Sequence, residues 1–131
     1  MNSAPVGDPQ PDEQRGREVL AAWEQGEHSG DYSAFRGLLG QVRLFSHPYL
    51  GRFEGLAAAE QLEGLMLGRE AKPNRLTFSN VVVSTAPGVA VCLFDSAGLI
   101  GGETEYSGYN AIAFMLEGDR VIGFREYFGT S

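Results

Sequence analysis

From residue 76 onward the chain offers little but strands joined by tight turns, which limits the folds open to it. "LTFSNVVVS" and "VAVCLFDS" flank "TAPG", where Pro87 and Gly88 suit the two central positions of a type II turn. "TEYSGYNAIAFML" and "RVIGFREYF" flank "EGD", a second hairpin signal. Between the pairs, "SAGLIGG" reads as a flexible glycine-rich loop. Four such strands in succession make an antiparallel meander, and a sheet with one apolar face needs a cover.

The first half supplies it. Residues 1–11 carry Pro, Gly and Asp with almost no apolar content, and read as a disordered tail before a single domain at 12–131. Asp12 suits the cap of a helix in which Val19, Leu20 and Trp23 share a face, and "EQGEHSGD" ends it through Gly26 and Gly30. A second short helix carries Tyr32, Phe35, Leu38 and Leu39 and stops at Gly40. "QVRLFSHP" reads as a strand closed by Pro48, followed by a loop through Gly51. Gly55 opens a third helix, "LAAAEQLEGLMLG", with Leu56, Ala59, Leu62 and Met66 at helical spacing. The order predicts an α+β fold, helices covering one face of a curved, mostly antiparallel sheet.

Composition narrows the partners. A net charge of -7 argues against nucleic acid and anionic membranes. No apolar run approaches the ~20 residues that span a bilayer, and the start lacks the basic-then-apolar order of a signal peptide. The lone Cys92 excludes an intramolecular disulfide and fits a reducing cytoplasm. Two histidines and one cysteine argue against structural zinc, and His28 with Asp31 lies in a polar loop poorly suited to metal.

Strand alternation places Ile122, Phe124, Glu126 and Phe128 on one face of "VIGFREYFG", opposite Val121, Gly123, Arg125 and Tyr127. Glu126 thus sits in an apolar row. If that row faces a hollow, desolvation raises its pKa and fits it for proton exchange near neutrality. The plainer alternative is a strand-end carboxylate that reaches solvent or pairs with an arginine such as Arg52 or Arg75. Asn110, Ile112, Phe114 and Leu116 share a face, and Gly108 suggests a bulge between Tyr106 and Asn110. Tyr106, Tyr109 and Asn110 are candidate hydrogen-bond partners of a ligand oxygen, against half-buried strand aromatics as the commoner role. His47, alternating with Phe45 and Arg43, is either a base or donor near physiological pH or a half-exposed strand-end residue. Trp23 is a core residue or a pocket wall.

From about residue 17 on, the chain resembles the nuclear-transport-factor-2-like (NTF2-like) superfamily, in its SnoaL-like and ketosteroid-isomerase-like branch. "SGDYSAFRGLLGQVRLFSHPYLGRFEG" and "NAIAFMLEGDRVIGFREYFGTS" carry the resemblance. It implies a cone: a curved sheet around a deep apolar pocket, closed by three helices, a cystatin-like α+β barrel. It also implies a homodimer without metal or organic cofactor. Where ketosteroid isomerases keep a basic aspartate before proline, this chain has His47. Their oxyanion-hole tyrosine and aspartic acid fall at Trp23 and Ile112, which argues against steroid chemistry. The late strands are similar to phenazine-biosynthesis A/B-type proteins, whose acid-catalyst glutamate matches Glu126 in "FREYF", although "AAAEQLEG" lacks their helix histidine. Polyether epoxide hydrolases and cyclases share the ending "FGTS".

The resemblance favours the pocket for Glu126. It implies a cytoplasmic enzyme of secondary metabolism acting on a hydrophobic, oxygenated small molecule by cyclisation, isomerisation or epoxide opening. Glu126 and His47 are then the catalytic pair. Tyr106, Tyr109 and Asn110 orient the substrate, and Trp23, Phe45, Phe114, Phe124 and Phe128 line the pocket. The alternatives are a module that binds a ligand without turnover, and a dimerisation domain filled by its own aromatics.

Overall fold

The computed structural model describes residues 12–130; the expected tail at 1–11 lies outside them. Asp12 accepts a hydrogen bond from the Arg15 N–H at 2.6 Å and starts α1 (Glu13–Ser29). Gly30, left-handed at φ 83°, ends it by donating to the Gly26 carbonyl. Gly26 is therefore not a stop. It lies inside the helix, where a Cβ would sit 2.2 Å from the Tyr32 ring, so glycine here makes room for an aromatic.

Helix α2 is only Ser33–Arg36, shorter than its apolar spacing suggests. The Leu38 carbonyl accepts from the Val121 N–H at 2.9 Å, so pairing with the last strand draws the chain into β1 (Leu39–His47) instead of another turn. Local spacing loses there to a tertiary hydrogen bond. The expected loop after Pro48 contains a short strand, β2 (Gly51–Glu54), antiparallel to β1. Helix α3 (Leu56–Ala71) follows Gly55 as anticipated. It buries Ala58, Leu62 and Met66, one turn apart, and turns Leu56 out to solvent.

The strands β3 (Arg75–Ala86), β4 (Val89–Ile100), β5 (Thr104–Glu117) and β6 (Arg120–Thr130) form the meander. Gly88 has the positive φ of 72° that the Pro-Gly turn requires. The stretch taken for a flexible loop is mostly strand: β4 runs through Gly98 to Ile100, and the turn is confined to 101–103. Gly98 is there for close approach, since a Cβ on it would meet the Arg75 carbonyl oxygen at 1.9 Å. Gly108 makes no bulge; β5 and β6 pair without a break from Gly108 to Met115. Register shifts occur instead within β1, between Ser79 and Val82, and between Met115 and Leu116. The shift in β1 puts Val42, Phe45 and His47 inside and leaves Arg43 exposed, against simple alternation.

The six strands form one curved sheet in the order β2-β1-β6-β5-β4-β3, antiparallel except where β1 meets β6. It does not close into a barrel: β2 and β3 remain edges. The helices cover its inner face. There Trp23 packs against Tyr32, Phe35 and Phe124 with ring centres 4.9–5.1 Å apart, and Phe45 and Phe114 extend the cluster. These ring contacts add to what burial of the rings alone contributes. No helix among the described residues is long and apolar enough to cross a membrane.

Candidate active site

Beside the aromatic core the concavity stays open. A cavity of about 500 Å³ lies between the C-terminal ends of α1 and α3 and the inner faces of β3–β6. Leu76, Phe78, Ile100 and Phe128 give it apolar walls, and His47 and Glu126 both border it.

Parallel pairing of β1 with β6 brings these two residues together, since Ser46 partners Arg125 and His47 and Glu126 directly follow that pair in their strands. The Tyr49 backbone N–H, in the turn forced by Pro48, donates to His47 Nδ1 at 3.1 Å. With Nδ1 as acceptor, the proton of the neutral imidazole sits on Nε2. Nε2 lies 3.8 Å from Glu126 Oε1. Both atoms are buried, and neither has a hydrogen-bond partner among the described residues.

Burial is the main influence on both groups. It pushes the Glu126 carboxyl up to about 7, against the opposing Arg69 charge, with the Glu27 charge adding to the rise and the Asn110 amide resisting it. It also holds the His47 imidazole below its ordinary value, helped by Arg69. Near neutrality His47 is thus an uncharged donor, and Glu126 is divided between acid and base.

Neither Arg52 nor Arg75 is the partner of Glu126. Arg52 stands beside Glu54 on the surface, and Arg75 donates to the His28 and Asn74 carbonyls. The nearby cation is Arg69, in the last turn of α3. Its Nη1 donates to Glu27 Oε1 at 2.5 Å, and its guanidinium lies 5.8 Å above the Trp23 ring. Glu27 Oε2 accepts from the Tyr32 hydroxyl at 2.7 Å and from Asn74 Nδ2 at 3.3 Å. Asn74 Oδ1 in turn accepts from the Gly101 N–H, tying this buried network to the β4–β5 turn.

Sequence reasoning missed Glu27, Arg69, Asn74 and Ser96 as cavity residues. A signal existed for Glu27, which follows Trp23 by four positions on the buried stripe of α1. Of the anticipated substrate contacts, Tyr106, Asn110 and Phe128 line the cavity. Trp23, Phe45, Phe114 and Phe124 do not; they are wholly buried in the core that backs it. Tyr109 points to the outer face, 58% exposed, because it alternates with Gly108 and Asn110.

No protein-family model matches the sequence, and a search of curated proteins finds no match. Solved structures do match. An NTF2-like protein from Anabaena variabilis has a TM-score of 0.74 at 21% identity, over 90% of this chain and 89% of that one. A candidate polyketide cyclase from Xanthomonas campestris has a TM-score of 0.66 at 13% identity, over 88% and 91%. An LEH-like epoxide hydrolase from M. tuberculosis has a TM-score of 0.65 at 16% identity, over 91% and 86%. At such identities the likeness is one of architecture: the chain has an NTF2-like fold.

Proposed function

We propose that the cavity is an active site for proton transfer on a hydrophobic, oxygenated small molecule, leading to cyclisation, isomerisation or epoxide opening. The observation that carries this reading is the pair of buried, unpartnered atoms, His47 Nε2 and Glu126 Oε1, 3.8 Å apart at the cavity wall. Such orphaned polar atoms are costly unless a ligand satisfies them. One substrate oxygen can contact both.

In its ionised form Glu126 removes a proton from a carbon next to a carbonyl, while the His47 Nε2–H stabilises the developing enolate oxygen. Return of that proton to another carbon is isomerisation. Attack of the enolate carbon on a second carbonyl, with Glu126 protonating the new alkoxide, is cyclisation. In its protonated form Glu126 can instead protonate an epoxide oxygen as water attacks the carbon; the added water then releases its own proton to solvent, from which the Glu126 carboxylate is reprotonated. A carboxyl near 7 suits either direction at neutral pH. No step calls for a metal or organic cofactor. The structures named as a cyclase and an epoxide hydrolase support the reaction classes only through shared architecture. We further propose a cytoplasmic homodimer, in keeping with the resemblance.

Glu126→Gln tests the reading, because it keeps the shape and removes the transferable proton. A panel of apolar epoxides and cyclisable polyketones should yield a substrate whose kcat falls about 10²- to 10⁴-fold in the variant, with little change in KM. A substrate turned over equally by both proteins would refute the role of Glu126. Ligands that bind in the cavity but never turn over would mark a binding module.

A further inference from the structure

The inner face of the sheet carries a diagonal line of polar residues that the proton-transfer reading leaves unused. Tyr106 pairs with Gly98, two residues from Ser96. Ser96 pairs with Gly108, two residues from Asn110, and Asn110 pairs with Phe128, two residues from Glu126. Such diagonal neighbours on one face are within side-chain reach. The contacts follow that order: the Tyr106 hydroxyl lies beside Ser96, Ser96 Oγ donates to Asn110 Oδ1 at 2.7 Å, and the Asn110 amide faces Glu126. Ser96 is only 2% exposed, so its hydroxyl is turned to these protein partners more than to solvent.

A carboxamide is two-faced. Its NH2 stabilises an ionised carboxylate, and its oxygen stabilises a protonated one. With Oδ1 held by Ser96, Asn110 has only its NH2 to offer. We propose that Ser96 is a positioning residue: its hydroxyl pins the Asn110 amide with its NH2 toward Glu126, leaving Oε1 as the carboxyl atom free to face His47 and a ligand. The pinning holds with or without turnover; its use in catalysis rests on the reading above.

Glu126 is also faced by His47 from β1, Arg69 from α3, Glu27 from α1 and Tyr106 from β5. Loss of the Ser96 hydroxyl adds or removes no charge among these, so a change in Glu126 titration reports on the amide. The experiment is a ¹³C NMR titration of the Glu126 side-chain carboxyl without ligand, in the wild type, Ser96→Ala and Ser96→Thr. The alanine variant should raise the midpoint by roughly half a unit to one unit, and threonine, which keeps the hydroxyl, should restore it. Should the alanine variant not fold, the near-isosteric but weakly donating Ser96→Cys should show the same rise. An unmoved midpoint in Ser96→Ala, or a threonine midpoint displaced as far as alanine's, would overturn the proposal. Because no turnover is measured, failure here is distinct from failure of the catalytic reading.

Discussion

Burial moves the Glu126 carboxyl up to about 7 and the His47 imidazole below its usual range, so their contributions to stability respond to pH with opposite sign. Glu126 folds more readily with its proton on. Its contribution is complete below the unfolded value of 4.5 and is lost as pH rises through about 7. His47 folds more readily without its proton, so its contribution is complete above 6.5 and is lost as pH falls toward the depressed folded value. Glu126→Gln removes only the first dependence. Urea unfolding of variant and wild type, at pH 4.5 and again at 8.5, should show the difference moving by about 3 kcal/mol in the variant's favour at the higher pH. A constant difference would mean that Glu126 titrates as an ordinary carboxylate. The position of Glu126 was legible from the two-residue strand period, which put it between Phe124 and Phe128. Its electrostatic partners were not, because Arg69 and Glu27 reach it from helices whose rotation over the sheet no local pattern specifies.

Among the elements, turns announced by Pro-Gly and Gly-Asp were legible because their backbone requirements are local. Glycines within elements misled, because the residue that permits a turn also permits two backbones, or a backbone and a ring, to touch. Gly98, at φ +146°, and Gly26, under the Tyr32 ring, are of the second kind. Gly98→Ala sets a methyl against the Arg75 carbonyl, a backbone atom that cannot yield alone, and should cost about 3 kcal/mol or more in urea unfolding. Gly64 and Gly68 face open space on α3 with no positive φ, so alanine at each should stabilise by about 0.5–1 kcal/mol. If the three sites responded alike, the packing role assigned to Gly98 would be wrong. Helix α2 shows the other limit of local reading, since a hydrogen bond from the distant Val121 N–H draws the chain out of it.

For the whole molecule, the fold class was legible from the strand-rich second half and from the short helix and strand of "SGDYSAFRGLLGQVRLFSHP". The strand order was not, because a meander pattern does not say which strand β1 will join. On the outer face that order aligns Val82, Leu93, Ala111 and Tyr127 across four strands, and Val82, Leu93 and Tyr127 are about half exposed. In the homodimer proposed above, this half-exposed apolar row would be the contact face. Sedimentation should find a dimer for the wild type and a monomer for Leu93→Glu. A monomeric wild type would remove the dimer from the reading.

The place of β6 also bears on how the molecule comes into being. It leaves the ribosome after the other five strands, yet lies third in the sheet, between β1 and β5. Until it inserts, both neighbours present open edges, and the core lacks Val121 and Phe124. The β3–β4–β5 meander can form from sequence neighbours, whereas the β1–β6 ladder must close a long stretch of chain first. Pulse-labelled hydrogen exchange should therefore find protection on both flanks of β6 arriving together, after the meander. The nascent chain would then gain its full sheet and the meeting of His47 with Glu126 in the same late event.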